Sequence, residues 1–214
     1  MMTRRSFIRK TTAGVAASSF AAAAWSRVLG ANDDIRVGVI GHRGKGGQHV
    51  QVFHELDGVR VVALCDADRD VMEKAAAEFK ERGEEVATYQ DIRDLFDQKD
   101  IDAVCIAAPN HWHALAAIWA MQAGKDVYVE KPVSHNIWEG RKLVQAARKY
   151  NKIVQSGTQN RSDVGLRAFK EYLMAGNLGK VKWAHGLWFK RRESIGNVNG
   201  PQKIPASVDY NLWT

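Results

Sequence analysis

Cysteine is scarce in this sequence, and both cysteines lie in short apolar runs. The 214-residue chain contains only Cys65 and Cys105. Each run is typical of a buried strand, and we expect the two strands to flank a third strand rather than to pair with each other. The sequence therefore predicts two buried free thiols, and it gives no basis for a disulfide or a metal site.

The sequence also lacks a stripe of basic residues. The formal charge is +7, but five basic residues and no acidic residue lie before position 32. The remaining chain carries 26 basic and 24 acidic residues. This near balance argues against nucleic-acid binding.

No hydrophobic run is long enough for a stable membrane span, which requires ~20 strongly apolar residues. An uncharged stretch, residues 11–25, is rich in alanine and follows the paired arginines Arg4 and Arg5. Paired arginines before a weakly apolar segment are typical of a twin-arginine signal, so we expect residues 1–31 to direct export to the periplasm. The sequence leaves open whether this segment is cleaved, retained as an anchor, or simply an amphipathic helix.

A glycine-rich turn joins a strand-like apolar run to the start of a helix. The run ends at Gly41, and Gly46 fits the third glycine of the dinucleotide fingerprint Gly-x-Gly-x-x-Gly, whereas Arg43 occupies its second position. We expect Gly44 and Gly47 to compensate for this departure. The free N–H groups at a helix start favour a pyrophosphate, so this turn, including Arg43 and Gly44, is a candidate cofactor site. An ordinary glycine-rich connection is the alternative.

A second apolar run, residues 59–65, ends at Asp66, which lies 25 positions after Gly41. A carboxylate about 20 residues beyond the turn accepts hydrogen bonds from the adenosine ribose in dinucleotide-binding proteins. Asp66 would repel a 2′-phosphate, which favours NAD over NADP, although Arg43 weakens that preference. The nearby Asp68 is expected to cap the following helix.

The rest of the sequence alternates strand-like runs with helical patterns. Further strands are predicted at 86–89, 101–108, 126–130 and 153–157. Helices are predicted at 91–96, from the segment after His113 to Ala123, and from a cap at Asn136 to Tyr150. This alternation predicts an α/β fold of the Rossmann type, a doubly wound parallel sheet in the order 3-2-1-4-5-6. Ligands of such sheets bind at the carboxyl ends of the strands, where the candidate residues lie.

Several motifs together resemble those of one enzyme family. They are Glu130-Lys131-Pro132, Ala108-Pro109-Asn110, His113, Ala123-Gly124-Lys125 and Gly157. The combination resembles the Gfo/Idh/MocA family, which is named after glucose-fructose oxidoreductase and inositol dehydrogenase, and particularly its exported members. The resemblance implies a nicotinamide-dependent oxidoreductase acting on a sugar, a cyclitol or a related polyol.

The resemblance also implies roles for individual residues. It places Gly41 and Gly46 at the pyrophosphate, Asp66 at the adenosine ribose, Pro109, Asn110 and His113 on the nicotinamide side, Glu130 near the nicotinamide ribose, Lys131 at the hydroxyl of the reacting carbon, and Arg161 on the substrate side. The peptide bond between Lys131 and Pro132 is expected to be cis.

Chemistry supports a catalytic role for Lys131, because hydride transfer from an alcohol carbon requires the hydroxyl proton to leave. A solvated lysine beside a turn proline is the alternative. For His113, packing at the start of its helix is an equal alternative to a cofactor contact. His185 is expected to be structural.

After residue 157 the resemblance implies the beginning of a second, substrate-binding domain. The pattern predicts a helix at 162–174 and a tryptophan-rich strand at 181–190 that leaves apolar surface exposed, since one strand cannot form a stable sheet. The domains are thus expected at 32–157 and 158–214, the latter incomplete. We expect the chain alone to bind NAD weakly with little turnover, and the complete protein to be able to form homo-oligomers through that second sheet.

Two other functions remain open from the sequence. One is a glycosidase that uses bound NAD for a transient oxidation, and the other is a non-catalytic nucleotide-binding module. Net consumption of NAD would separate the oxidoreductase from the glycosidase.

Overall fold

A computed structural model describes residues 34–187, 191–194 and 196–214. The predicted export signal at 1–31 lies outside these residues. Six strands form one sheet: β1 (Ile35–Ile40), β2 (Val59–Cys65), β3 (Ala87–Tyr89), β4 (Ala103–Ile106), β5 (Asp126–Glu130) and β6 (Val154–Gly157). The helices are α1 (Lys45–His54), α2 (Arg69–Glu81), α3 (Ile92–Phe96), α4 (Asn110–Gln122), α5 (Ile137–Tyr150), α6 (Val164–Met174) and α7 (Tyr210–Trp213), with a 3₁₀ helix at Gln159–Ser162.

The sheet has the predicted doubly wound topology. Its order is β3-β2-β1-β4-β5-β6, and all five strand pairs are parallel. The winding reverses between β1 and β4, so a crevice opens at their carboxyl ends. The predicted fold class is therefore confirmed.

Apolar side chains cover both faces of the sheet and form two core clusters. Cys65 belongs to one cluster and Cys105 to the other, so the two thiols lie on opposite faces beside β1. Both are buried and unpaired, as predicted. Burial raises the pKa of the Cys105 thiol to about 12, and burial also raises that of Cys65. Neither thiol is therefore a reactive thiolate near neutral pH.

The predicted helix caps are present. The Asp68 carboxylate accepts the N–H of Asp70 at the start of α2. At the start of α5, the Asn136 side chain accepts the N–H of Glu139 at 2.9 Å. The Glu139 carboxylate in turn accepts the N–H of His135 at 2.9 Å, which is a reciprocal arrangement of the capping-box kind.

The predicted strand at 181–190 is wrong for residues 181–187, which form no strand; residues 188–190 lie outside the described ones. Within the described residues no neighbouring strand is present to accept its ladder hydrogen bonds, and a strand without a partner is not stable. Trp183 and Leu187 are 75% and 79% exposed, so the predicted exposed apolar surface is confirmed. No helix among the described residues has the length and apolar character to cross a membrane.

Candidate functional site

The glycine turn after β1 is held by two very close backbone approaches. Gly41 has φ +81°, and a Cβ there would lie 2.7 Å from the carbonyl oxygen of Ala107. A Cβ on Gly46 would lie only 1.7 Å from the carbonyl oxygen of Gly41. Only glycine fits either position, so α1 packs directly against the end of β1.

Gly44 and Arg43 complete the turn in different ways. Gly44 is the N-cap of α1 with φ 51°, and nothing lies within 4 Å of a Cβ added there, so its role is conformational. No side chain caps this end of α1, which leaves backbone N–H groups free to bind an anion. The Arg43 guanidinium, in the second fingerprint position, contacts Asp68 Oδ2 at 2.5 Å. This cation is therefore paired with a carboxylate.

Asp66 lies at the carboxyl end of β2, beside the glycine turn. Its Oδ2 accepts the N–H of His42 at 3.0 Å, and its Oδ1 accepts the N–H of Asp68 at 3.1 Å. These two bonds fix the carboxylate and leave further lone pairs for a ribose diol, because an ionised carboxylate offers about four acceptor sites. Among the described residues, no lysine or arginine forms an ion pair with Asp66.

Asp68 links the turn to α2 and is also held by a distant residue. Burial opposes its ionisation, but hydrogen bonds from Ser207, Arg43 and the N–H of Asp70 outweigh this and lower the pKa of Asp68 below its ordinary value. The carboxylate is therefore charged at neutral pH and keeps Arg43 paired.

A cavity of about 790 Å³ opens at this edge of the sheet. Its lining includes the predicted residues Gly41, Arg43, Asp66 and Pro109. The volume lies within the range of small-molecule sites, roughly 300–1,000 Å³. A second lining region comes from residues 202–213, which sequence reasoning did not connect with this site.

A smaller cavity of about 260 Å³ lies on the other side of the loop after β4. Ala107 and Ala108 line both cavities, so the two are neighbours. The remaining lining residues are Lys45, Asn110, His113, Glu130 and Lys131. The predicted residues are thus divided between the two cavities, which we call the adenosine-side cavity (the larger) and the nicotinamide-side cavity (the smaller) after the roles that the sequence resemblance implies. Pro109, expected on the nicotinamide side, lines the larger cavity.

His113 lies in the first turn of α4 and is almost completely buried, at 1% exposure. Its Nδ1 lies 2.6 Å from the carbonyl oxygen of Pro132, and its Nε2 lies 2.7 Å from that of Ala108. Carbonyl oxygens only accept, so a neutral imidazole donates to one of them and a protonated imidazole to both. His113 therefore ties the loop after β4 to the turn after β5. This is the packing role that the sequence left open, in a residue that also lines the small cavity.

Glu130, at the end of β5, is 4% exposed and is surrounded by hydrogen-bond donors. His49 Nε2 lies 2.7 Å from Oε1, and the Gln159 amide donates to the same oxygen. The N–H of Lys131 donates to Oε2 at 3.2 Å. Glu130 therefore holds together α1, β5 and the start of the 3₁₀ helix after β6, next to Lys131 in the chain.

Lys131 is exposed at the rim of the small cavity, and its bond to Pro132 is cis, as expected. Lys45 lines the same cavity from the first turn of α1. It was not predicted, although a lysine between two glycines of a phosphate-binding turn is a usable signal. His49 and Gln159 were also missed, because neither belongs to a recognisable motif.

Arg161 lies in the 3₁₀ helix after β6, is exposed and lines neither cavity. Its substrate-side role stays a prediction. Asp209 caps α7 by accepting the N–H groups of Asn211 and Leu212. Within the described residues no group of three histidine, cysteine or carboxylate side chains is placed to hold a metal ion.

Comparison with known proteins agrees with this geometry. The family model for the Gfo/Idh/MocA group, described as an oxidoreductase family with an NAD-binding Rossmann fold, matches residues 35–158, which is more than half of the chain.

Individual relatives agree as well. An inositol 2-dehydrogenase from Salmonella typhimurium is 32% identical over 180 residues, which covers 83% of this chain and 52% of that protein. A protein named glycosyl hydrolase family 109 protein 2, from Shewanella sp. strain ANA-3, is 34% identical, covering 97% of this chain and 51% of that protein. The chain therefore spans about half the length of these curated relatives.

Solved structures also match. The crystal structure of myo-inositol 2-dehydrogenase from Lactobacillus plantarum superposes with a TM-score of 0.63 at 32% identity, over 70% of this chain and 43% of that one. With the glycine turn, the sheet order and the carboxylate after β2 in place, the chain belongs to the Gfo/Idh/MocA family of oxidoreductases, and residues 35–158 are its NAD-binding Rossmann fold.

Proposed function

We propose that the complete protein is a nicotinamide-dependent oxidoreductase that transfers hydride between NAD and a sugar, a cyclitol or a related polyol. The observation that carries the proposal is the placement of Lys131 in a cavity adjoining the one that contains Asp66 and the glycine turn. A dinucleotide spans two such neighbouring cavities, with its pyrophosphate at the start of α1. The inositol 2-dehydrogenase relatives support the substrate class.

The adenosine-side cavity supports NAD rather than NADP. A 2′-phosphate would approach the Asp66 carboxylate, which repels it, and Arg43 is already paired with Asp68 at 2.5 Å. The ribose 2′-hydroxyl of NAD can instead donate to Asp66.

The chain supplies the groups that the chemistry requires. Gly41 and Gly46 let α1 pack against the end of β1, and the start of α1 has no side-chain cap, so its backbone N–H groups fit a pyrophosphate. NAD would supply the hydride acceptor for the alcohol carbon. We assign to Lys131 the removal of the hydroxyl proton as the carbonyl forms, and the buried Glu130 carboxylate accepts the N–H of Lys131, which fixes the backbone there.

The first experiment is to identify the nucleotide that the purified protein, expressed from its complete gene, releases on denaturation. Recovery of NAD, or binding of added NAD, is the expected result. Failure to bind NAD or NADP would refute the oxidoreductase proposal.

A pair of variants then tests Lys131. We expect Lys131→Met to lose about 10²- to 10⁴-fold in turnover, the usual contribution of a positioned acid or base, while still binding NADH. Lys45→Met removes a lysine from the same cavity and should mainly weaken NADH binding. Equal losses of turnover in the two variants would show that Lys131 contributes only charge.

The glycosidase is a second candidate, because the relative that covers 97% of this chain carries a glycosyl hydrolase name. Such an enzyme would return the hydride to the substrate and release sugar without net NADH. Absorbance at 340 nm during turnover of a glycoside distinguishes the two candidates.

We further propose that residues 158–214 begin the substrate-binding domain and that residues 1–31 direct twin-arginine export. Arg161→Ala should raise KM for the substrate without changing NADH affinity.

Replacing Arg4 and Arg5 by lysine should retain the protein in the cytoplasm. Normal export of that variant would refute the signal.

A further inference from the structure

Residues 202–213, here called the strap, lie against the adenosine-side cavity. They contribute nine of its lining residues: Gln202, Lys203, Ile204, Pro205, Val208, Tyr210, Asn211, Leu212 and Trp213. The opposite walls come from the ends of β1, β2 and β4 and from α4. The cavity is therefore a space between the Rossmann sheet and a segment far along the chain.

Backbone hydrogen bonds fix the strap beside the cavity. Val208 forms an antiparallel bridge with Asp68. The N–H of Asp209 donates to the carbonyl of Ala67 at 2.9 Å, and the N–H of Arg69 donates to the carbonyl of Ser207 at 3.0 Å. These bonds attach the strap to the loop that directly follows Asp66, so its position is tied to that of the ribose-binding carboxylate.

The end of the strap is held by a second set of contacts, at the start of α4. The Trp112 indole N–H donates to the carbonyl of Trp213 at 3.3 Å, and His111 Nε2 lies 3.1 Å from the same oxygen. The rings of Tyr210 and Trp213 are stacked, with centroids 6.0 Å apart. Trp112, Tyr210 and Trp213 thus place three aromatic rings on the cavity wall.

We propose that the strap is part of the nucleotide site and that its aromatic wall, with Trp213 at its centre, packs against the adenine of the bound dinucleotide. Asp66 fixes the ribose on one side, so the adenine that the ribose carries must lie in the same cavity. A purine ring presents a flat π face to aromatic side chains, and such stacking is favourable for every base. This inference rests on the proposed function, because it requires that a dinucleotide binds.

Two ligands and three variants test the proposal in the protein expressed from its complete gene. ADP-ribose carries the adenosine half without nicotinamide, and NADH carries both halves. Trp213→Ala should weaken binding of both ligands by the same factor, about tenfold or more, as expected for the loss of one base–aromatic stack. Asp209→Ala removes the cap of α7 without removing a cavity-lining residue, and it should weaken both ligands by a smaller factor.

Trp138→Ala is the matched control. Trp138 lies on α5, is 68% exposed and lines neither cavity, so its loss should leave both affinities unchanged. Unchanged or tighter binding in Trp213→Ala would overturn the proposal, since tighter binding means that the strap obstructs the site. If the unaltered protein binds neither ligand, the proposed function fails and this inference fails with it. If the unaltered protein binds both ligands and the strap variants bind them as tightly as Trp138→Ala does, the proposed function stands and this inference fails.

Hydrogen exchange on the unaltered protein gives a readout that does not depend on variant folding. ADP-ribose should slow exchange of the Asp209 and Arg69 amides, which join the strap to the loop after Asp66. Unchanged exchange at these amides with the ligand bound would also overturn the proposal.

Discussion

Gly46→Ala should separate α1 from the end of β1. The new Cβ would lie 1.7 Å from the carbonyl oxygen of Gly41, a distance that no side-chain rearrangement can relieve because the backbone fixes the positions of both atoms. Forced overpacking costs about 1–3 kcal/mol and occasionally more. A domain of this size loses roughly 2–4 °C in Tm per kcal/mol. We therefore expect Tm to fall by roughly 2–12 °C. We also expect NADH binding to be lost, because the pyrophosphate site is the turn itself.

Gly47→Ala is the control for this substitution. It lies one position further along the same helix, and its Cβ would meet the carbonyl oxygen of His42 at 3.1 Å, which a shift of a few tenths of an ångström relieves. Alanine also favours a helix interior over glycine by about 1 kcal/mol, which offsets that shift. Thermal unfolding and NADH titration of the two variants test whether the close approach at Gly46 is required for stability and for binding. Equal Tm and affinity in Gly46→Ala and Gly47→Ala would refute the close-approach argument.

Three further predictions concern single side chains. Asp66→Asn should weaken NAD binding by roughly 10- to 150-fold, from about 1.5–3 kcal/mol for hydrogen bonds to a charged group, and weaken NADP less; titration with both nucleotides tests this, and an unchanged NAD-to-NADP ratio contradicts it. His113→Ala should cost about 1–3 kcal/mol in the free energy of unfolding, because the contacts of the buried imidazole with the carbonyls of Ala108 and Pro132 are lost; denaturant unfolding measures the loss. Although burial opposes ionisation, hydrogen bonds from Arg36 lower the pKa of Asp102, so the stability that this carboxylate contributes is complete above about pH 4 and is lost as the pH falls through the folded-state value. The Tm difference between the unaltered protein and Asp102→Asn should therefore narrow from about pH 6 to about pH 3; a difference that widens in acid contradicts the assignment.

The Rossmann part of the fold could be predicted because its signals are local. Buried parallel strands read as short apolar runs, and the helices between them carry caps such as Asp68 and Asn136. Strand ends were less predictable: the run at 101–108 forms a strand only over Ala103–Ile106. Apolar composition continues beyond the point where ladder hydrogen bonds stop, so it overestimates strand length.

The strand predicted at 181–190 shows what alternation alone cannot decide. Trp183, His185 and Leu187 have the period of a strand, but a period describes the faces of a segment and not its hydrogen-bond partner. Without a neighbouring strand among the described residues, residues 181–187 form no ladder and their large side chains stay exposed.

The candidate site was partly predictable for a related reason. Gly41, Asp66 and Lys131 each follow a strand end, and the topology brings strand ends to one edge. Sequence patterns do not reveal the donors around Glu130, because His49 and Gln159 reach it from positions 81 and 29 residues away. These contacts depend on how α1 and the end of β6 approach β5, which only the assembled sheet determines.

The strap is the strongest case of such a contact, because Val208 pairs with Asp68, 140 positions earlier. Its sequence has no periodicity that indicates a target. In the structure, Asp209 caps the turn that presents Tyr210 and Trp213 to the cavity. The cavity wall therefore includes residues beyond the segment 35–158 that matches the family model, so we expect the affinity of the proposed nucleotide site to depend on them.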